Sequence, residues 1–319
     1  MPKRIQRVIR IIRPSSREKP DLLSEKIKEL REKKWNVLYD ELPEDMDNKY
    51  VAAPLSARLK ALSDALMEKE STCVLCARGG YGASDLLSAL PWSRLRKIEP
   101  KLVVGFSDIS AIHSALYAKL GWSGIHGPMP ATTLWRKDGE SKDIDILLKL
   151  LDLLASKAPL KGSLSLDGLV IKSDGDAGSS SKSLSVGDSI EGWLFGGCFS
   201  VLSNLIGTPF FPKSLKGAIL FLEDTGDNPG RLLRYWNQWL QSGVLNGVRG
   251  AILGNFLKLG DRIPDNDLFF LKEFARRSPF PVFETTLFGH VSPNYPLMIG
   301  AKATVTAKLV RWAEKSSQK

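Results

Sequence analysis

Polar residues stand at the ends of apolar runs in this chain, and the chemistry gathers there. Leu102-Val103-Val104-Gly105-Phe106 reads as a buried parallel strand, and it delivers Ser107. From Asp108 to Lys119, Ile109, Ile112, Ala115 and Leu116 keep the spacing of one helix face, which puts Ser107 at a strand-to-helix corner. A serine there raises its hydroxyl above the sheet edge, and the first free amides of the helix face any oxyanion formed beside it. That is the geometry of a nucleophile elbow. The position also suits a helix-capping serine, and the second glycine of the usual five-residue elbow pattern is Ile109 here.

Ala218-Ile219-Leu220-Phe221-Leu222 is a second fully apolar strand, and it ends on an acid, Glu223. The chain has three histidines, so candidates for a general base are few. His113 lies within the Ser107 helix as a packing or surface residue. His126 ends a strand before Gly127-Pro128 and could line a cleft. His290 follows a glycine on a loop near Asn294 and Pro296, a setting that exposes an imidazole. Ser107, Glu223 and His290 stand in the chain order of hydrolases with an elbow serine, although triads are defined by geometry. A neutral histidine takes a serine's proton near pH 7, and a carboxylate on its other ring nitrogen fixes the tautomer. The oxyanion needs convergent donors, which the backbone amides of Asp108 and of the turn Arg78-Gly79-Gly80-Tyr81-Gly82, near Gly80, could supply. That turn lacks the spacing and lysine of a phosphate loop, which leaves a tight turn or oxyanion support.

The elements that must carry these residues alternate. Ile5–Arg13 reads as a strand, Asp21 opens a helix with a Leu23, Ile27, Leu30 stripe, and Asn36–Tyr39 is a second strand. Pro54–Lys69 reads as a helix with Leu55, Leu59, Leu62 and Leu66 on its apolar side and Arg58, Lys60 and Lys69 exposed. Thr72–Ala77 is a strand, Ala83–Leu90 a helix, Trp122–His126 a strand and Asp143–Leu154 an apolar helix. This rhythm is that of an α/β fold with a parallel sheet. At Ala158 the composition turns to Ser, Gly, Asp and Lys until about Ser189, which reads as a connector. Its Asp174-Gly175-Asp176 lacks the spaced ligands of a calcium loop, and no metal or cofactor is expected. The second half restarts at Trp193-Leu194-Phe195-Gly196-Gly197-Cys198, continues through a helix at Arg231–Leu240, a strand at Gly250–Leu253 and a helix at Asp265–Arg277, and closes with a strand at Thr304–Val310. The expected domains are 1–157 with the nucleophile, 158–189 as connector, and 190–319 with acid and base.

With 319 residues, 43% hydrophobic and 25% charged, the chain is long enough for two packed domains. A net charge of +10 favours anionic ligands. The basic residues are scattered among acids, and no recognised module accompanies them, which argues against nucleic acid. Three cysteines, Cys73, Cys76 and Cys198, are too few for a disulfide framework. The basic N-terminus has no long apolar run and no stretch has the length of a membrane span, so a cytoplasmic protein without membrane contact is expected.

Arg78-Gly79-Gly80-Tyr81-Gly82, Gly105-Phe106-Ser107-Asp108, His126-Gly127-Pro128, Gly196-Gly197, Gly207-Thr208-Pro209, Leu222-Glu223-Asp224 and Gly289-His290 come in this order along most of the chain. In this the chain resembles the LD-carboxypeptidases, the serine peptidase family that also contains the microcin C immunity proteins. The resemblance implies an N-terminal α/β domain carrying the nucleophile and a smaller β-rich C-terminal domain. It implies Ser107 as nucleophile, His290 as general base and Glu223 as its orienting acid. An LD-carboxypeptidase removes the terminal D-alanine of a murein tetrapeptide, an anionic substrate suited to a basic protein, and family members commonly form homodimers. Arg231 or Arg234 could hold a substrate carboxylate, with Tyr81 as a further contact. The chain departs from the family at Gly230, where a tyrosine is expected, and at Leu233, where an acid is expected. Rival readings are a microcin-immunity type hydrolase of peptidyl-aspartyl nucleotides and a two-lobed binding protein without chemistry.

Overall fold

The computed structural model of the protein describes residues 7–18, 20–132, 142–169, 188–257 and 266–315. Its first half builds β1 (Val8–Ile12), α1 (Pro20–Glu32), β2 (Asn36–Leu38), α2 (Leu55–Met67), β3 (Cys73–Cys76), α3 (Trp92–Leu95), β4 (Val103–Gly105), α4 (Ser110–Leu120), β5 (Ile125–His126) and α5 (Asp143–Ser156). The strands pair in parallel in the order β5-β4-β3-β1-β2, so each must be reached by a crossover, and the intervening helices provide it. All four residues of β3 are fully buried, as expected of a strand covered on both faces. Cys73 and Cys76 are therefore core side chains, and burial pushes the Cys73 thiol up to about 12.

The second half builds β6 (Lys161–Ser165), β7 (Gly168–Leu169), β8 (Ile190–Cys198), α6 (Phe199–Ser203), β9 (Ala218–Thr225), α7 (Pro229–Gln241), β10 (Gly250–Leu257), α8 (Asn266–Arg277), β11 (Val282–Glu284), β12 (Leu297–Met298), β13 (Lys302–Val305) and β14 (Leu309–Ala313). All but β12 join an eight-stranded sheet in the order β6-β14-β13-β8-β9-β10-β11-β7. Its centre, β8 to β11, is parallel, and an antiparallel meander closes one edge. β12 instead crosses back to the first sheet, pairing Leu297 with His126 and Met298 with Ile125. The two halves are thereby stitched together, and Gly300 N donates to Leu194 O at 2.7 Å just beyond.

Several expectations change here. Two strands, β6 and β7, fall inside the stretch read as connector, because a Ser- and Gly-rich strand at a sheet edge buries too little to show an apolar run. The Asp174 segment lies outside the described residues. The closing strand is a hairpin that turns at Thr306 and Lys308, whose register sets Val305 opposite Val310. The helix expected at Ala83–Leu90 is a 3-10 turn, Ser84–Ala89. On α2 the buried face holds Arg58, Leu62, Ser63, Ala65 and Leu66, while Leu55 is exposed. Arg58 is buried because its guanidinium donates to the carbonyls of Ala53, Pro14 and Gly82 at 2.7–2.9 Å, tying α2 to the glycine corner.

Candidate active site

Ser107 leaves β4 with φ of 61°, in the left-handed region that a side chain adopts only when its surroundings hold it there. A 3-10 turn, Ser107–Ile109, then leads into α4. This is a strained strand-to-helix corner, the expected elbow. Ile109 fits where the elbow pattern has glycine because Gly105 gives way: a Cβ on Gly105 would lie 3.0 Å from both Cγ atoms of Ile109.

Ser107 Oγ lies 3.1 Å from His290 Nε2, and His290 Nδ1 lies 2.7 Å from Glu223 Oε2. The structure thus brings together three residues that the sequence separates by more than a hundred positions each from Ser107. Glu223 sits within β9, not at its end, and is fully buried. Burial alone would raise its carboxyl, but the charge and hydrogen bond of His290, with a further contribution from His126, hold it below the ordinary carboxylate value. Burial opposes protonation of His290, yet the Glu223 charge and hydrogen bond outweigh it, and the imidazole is more basic than usual. Each shift stabilises the same ion pair, as an imidazolium-forming base requires. Gly289, with φ of 111°, lets the loop pass Glu223, since a Cβ there would fall 3.0–3.2 Å from that side chain. The loop is held by Gly289 N donating to Asn294 Oδ1 at 3.2 Å and by Asn294 N donating to Asp143 Oδ1 at 2.7 Å.

The glycine corner closes the other side. A Cβ on Gly79 would lie 2.7 Å from Ser107 Cβ, 3.0 Å from its Oγ and 3.2 Å from the Asp108 amide nitrogen. The corner is pinned by Ser16, whose amide donates to Gly79 O at 3.3 Å and whose Oγ accepts from the Tyr81 amide at 3.0 Å. Gly80 has φ of 110° and its open Cα face abuts Ser16. The Asp108 carboxylate accepts from Ser15 Oγ at 2.7 Å and from the Ala83 amide at 2.9 Å, and burial pushes it up in pKa. Its amide stands at the start of the turn beside Gly79, so Gly79 and Asp108 frame the space next to the Ser107 hydroxyl.

Of the other candidates, Tyr81 is half exposed on the glycine corner. Arg231 is exposed and ion-paired with Asp227 at 2.9 Å, and Arg234 lies further along α7 in a shallow cavity with Gly207, Asn237 and Gln241. No hydrogen bond joins either arginine to the Ser107 group among the described residues. His113 is buried with Nε2 3.0 Å from Val103 O, and burial lowers it to about 3. His126 does not line a cleft: it is fully buried among Phe106, Phe221 and Phe288. Among the described residues no group of His, Cys, Asp or Glu could hold a metal ion.

Sequence reasoning passed over Ser15 and Ser16, Gly79 as the residue against Ser107, Asp224, and Ser110. Asp224 points away from Glu223, as neighbours on a strand do, and accepts from the Ser200 amide at 2.7 Å. Ser110 Oγ accepts from the Cys198 amide at 2.9 Å, joining α4 to β8, and Gly197 with φ of 142° leaves room for it. The signal that would have found Ser15, Ser16 and Gly79 is position: all follow the carboxyl ends of adjacent parallel strands.

Residues 9–127 match the LD-carboxypeptidase N-terminal domain and residues 191–305 the LD-carboxypeptidase C-terminal domain. The chain belongs to the LD-carboxypeptidase family. Membership makes it a serine-type carboxypeptidase, a hydrolase of peptide bonds. The murein tetrapeptide carboxypeptidase of Pseudomonas aeruginosa, a curated relative, is 29% identical over 267 residues, 83% of this chain and 82% of its own. A muramoyltetrapeptide carboxypeptidase from Oxalobacter formigenes superposes with a TM-score of 0.77 at 26% identity, covering 97% of this chain and 99% of its own. The microcin C7 self immunity protein MccF in complex with glutamyl sulfamoyl guanosine shares the fold, with a TM-score of 0.79 at 19% identity over 98% of this chain and 97% of its own. Both halves of the LD-carboxypeptidase architecture are thus present, and no helix among the described residues is long and apolar enough to cross a membrane.

Proposed function

We propose that this LD-carboxypeptidase releases the terminal D-alanine of murein tetrapeptide, with Ser107 as nucleophile, His290 as general base and Glu223 as the acid that orients it. The observation that carries the reading is the unbroken chain Ser107 Oγ, His290 Nε2, His290 Nδ1, Glu223 Oε2, at 3.1 and 2.7 Å. His290 Nε2 takes the Ser107 proton as Oγ attacks the carbonyl carbon on the L-centre of diaminopimelate. The oxyanion is received by backbone amides at Asp108 and the glycine corner, each donor worth about 3 kcal/mol. Protonated His290 then gives its proton to the amine of the departing D-alanine, the C–N bond breaks, and an acyl-enzyme on Ser107 remains. Water, deprotonated by the same imidazole, releases the tripeptide and restores Ser107. Glu223 holds the tautomer throughout and stabilises the imidazolium.

The substrate assignment is supported by the likeness to the murein tetrapeptide carboxypeptidase of Pseudomonas and the muramoyltetrapeptide carboxypeptidase of Oxalobacter and by the excess of positive charge, +10, which suits an anionic muropeptide. Arg231 and Arg234, both exposed on α7, are the guanidinium groups offered to a substrate carboxylate. The test is a substrate panel: murein tetrapeptide, an aspartyl sulfamoyl nucleoside, and a tetrapeptide ending in L-alanine. Release of D-alanine from the first, with the others turned over at least tenfold more slowly, is expected. Preferential cleavage of the nucleoside conjugate would move the assignment to the microcin-immunity type.

A further inference from the structure

Three polar atoms in one buried region have no hydrogen-bond partner: Glu223 Oε1, the oxygen that His290 does not use, and both ring nitrogens of His126. Both residues are fully buried. An imidazole enclosed by hydrocarbon with neither nitrogen satisfied carries the desolvation penalty of an unpaired polar group, and so does a buried carboxylate oxygen without a donor. Packing alone would be served better by leucine or phenylalanine, for the cage around His126 is aromatic: Phe106 at 5.9 Å, Phe221 at 5.7 Å and Phe288 at 5.9 Å between ring centroids. Each wall of that cage belongs to an element that carries a reacting group. Phe106 precedes Ser107 and meets the His290 ring edge-on at 5.0 Å, Phe221 is two residues before Glu223 on the same face of β9, and Phe288 is two residues before His290. The backbone fixes His126 equally firmly, pairing it with Gly105 of β4 and Leu297 of β12.

Resting on the Ser107, His290, Glu223 reading above, we propose that His126 is a positioning residue: its neutral imidazole donates through one bridging water to Glu223 Oε1 and holds the carboxylate in line with His290. The charged and titratable groups that face His126 are Glu223 of β9, His290 of the following loop and His113 of α4. Burial lowers its proton affinity to about 4, against the opposing pull of Glu223, so it stays neutral across the working range and supplies one N–H rather than a competing cation. A second histidine charge there would repel the imidazolium that catalysis forms on His290. The hydrogen bond instead favours ionised Glu223 without cancelling its attraction for His290.

The experiment uses the full chain and a fluorophosphonate, which labels an activated serine whatever the natural substrate. Labelling rates are followed from pH 4 to 9 in the parent, Ser107→Ala, His126→Phe and His126→Gln, with thermal melting as the check on folding. Phenylalanine fills the cage without a donor, and glutamine restores one. His126→Phe should label about 10–100-fold more slowly, the loss expected for one hydrogen bond to a charged group. Its acidic limb should move to lower pH, because a less firmly ionised Glu223 raises His290 less. His126→Gln should recover most of the rate and the limb. A slower rate in both variants with an unmoved limb, or a His126→Phe protein that labels like the parent, would overturn the proposal. Imidazole nitrogen NMR on the unlabelled protein is independent of activity, and with three histidines the spectrum is assignable. A His126 that exchanges a proton between its nitrogens without a hydrogen-bonded N–H would also overturn it. Failure of the parent to label at Ser107 would strike the triad reading itself, which separates the two.

Discussion

Gly79→Ala tests how closely the glycine corner is fitted to Ser107, the proposed nucleophile. The new methyl would begin 2.7 Å from Ser107 Cβ and 3.0 Å from its Oγ. Carbon atoms at rest sit about 3.5–4.0 Å apart, so roughly 1 Å of movement is required. Ser107 cannot rotate out of the way, since its Cβ is fixed by a backbone already held at φ of 61°. The corner cannot easily retreat either, being tied to Ser16 and, through Gly82 O, to the buried Arg58. Overpacking of this kind costs about 1–3 kcal/mol, which for a chain of this size lowers Tm by roughly 1–5 °C. A displacement of about 1 Å at a reacting atom costs on the order of 100-fold in rate. Steady-state kinetics should therefore show kcat down about 100-fold with KM changed less than about threefold, in a protein that still melts cooperatively. Gly80→Ala is the comparison: its methyl would strike Ser16 Oγ and Cβ, so it should lose stability with a smaller loss of kcat. A folded Gly79→Ala enzyme with kcat within threefold of the parent would refute the placement of the corner against a reacting Ser107.

The parent's kcat/KM should fall on the acid side as His290 takes up a proton, at a pH above the ordinary histidine value, since Glu223 raises His290. Glu223→Gln removes that charge, so the acid limb should move to lower pH while kcat drops by about four orders of magnitude, less than for His290→Ala. Asp224, pushed up to about 6 by burial and by Glu223, binds its proton more tightly folded than unfolded. Stability should therefore decline as pH rises from the unfolded carboxylate value, 3.8, to about 6, and Asp224→Asn should melt higher relative to the parent at pH 7 than at pH 4. Arg58→Met leaves the carbonyls of Ala53, Pro14 and Gly82 buried without their donor and should lower Tm by on the order of 10 °C, measured by calorimetry.

The α/β character and the candidates Ser107 and Glu223 were legible from local pattern, apolar runs with both faces covered that lead into a polar residue, although Glu223 proves to lie within β9 rather than at its end; His290 was legible as a histidine on a glycine-flanked loop. Ile109 in the glycine position weakens the elbow signature, and only the pairing of a bare Gly105 with that isoleucine explains it. Arg58 reads as a solvated helix residue because nothing within α2 shows that three carbonyls from other segments wait for a guanidinium. Leu55 reads as core by periodicity, yet in the first turn of α2 it is exposed, and the buried face of the helix runs through Arg58, Leu62, Ser63, Ala65 and Leu66. The hairpin of β13 and β14 is read as one strand because its turn, Thr306-Ala307-Lys308, carries no glycine or proline. β6 and β7 are edge strands whose polar sequences look like linker, and only pairing with β14 and β11 reveals them. Functional residues that act through backbone proximity, Gly79 and Ser16 above all, carry no type-specific signal.

The most direct test of the whole account is release of D-alanine from murein tetrapeptide by purified protein, measured beside Ser107→Ala and repeated with a strong chelator. Release by the parent that survives chelation and is abolished in a folded Ser107→Ala variant is the expected result. Comparable release by Ser107→Ala, or loss of the parent's activity on chelation, would contradict the mechanism.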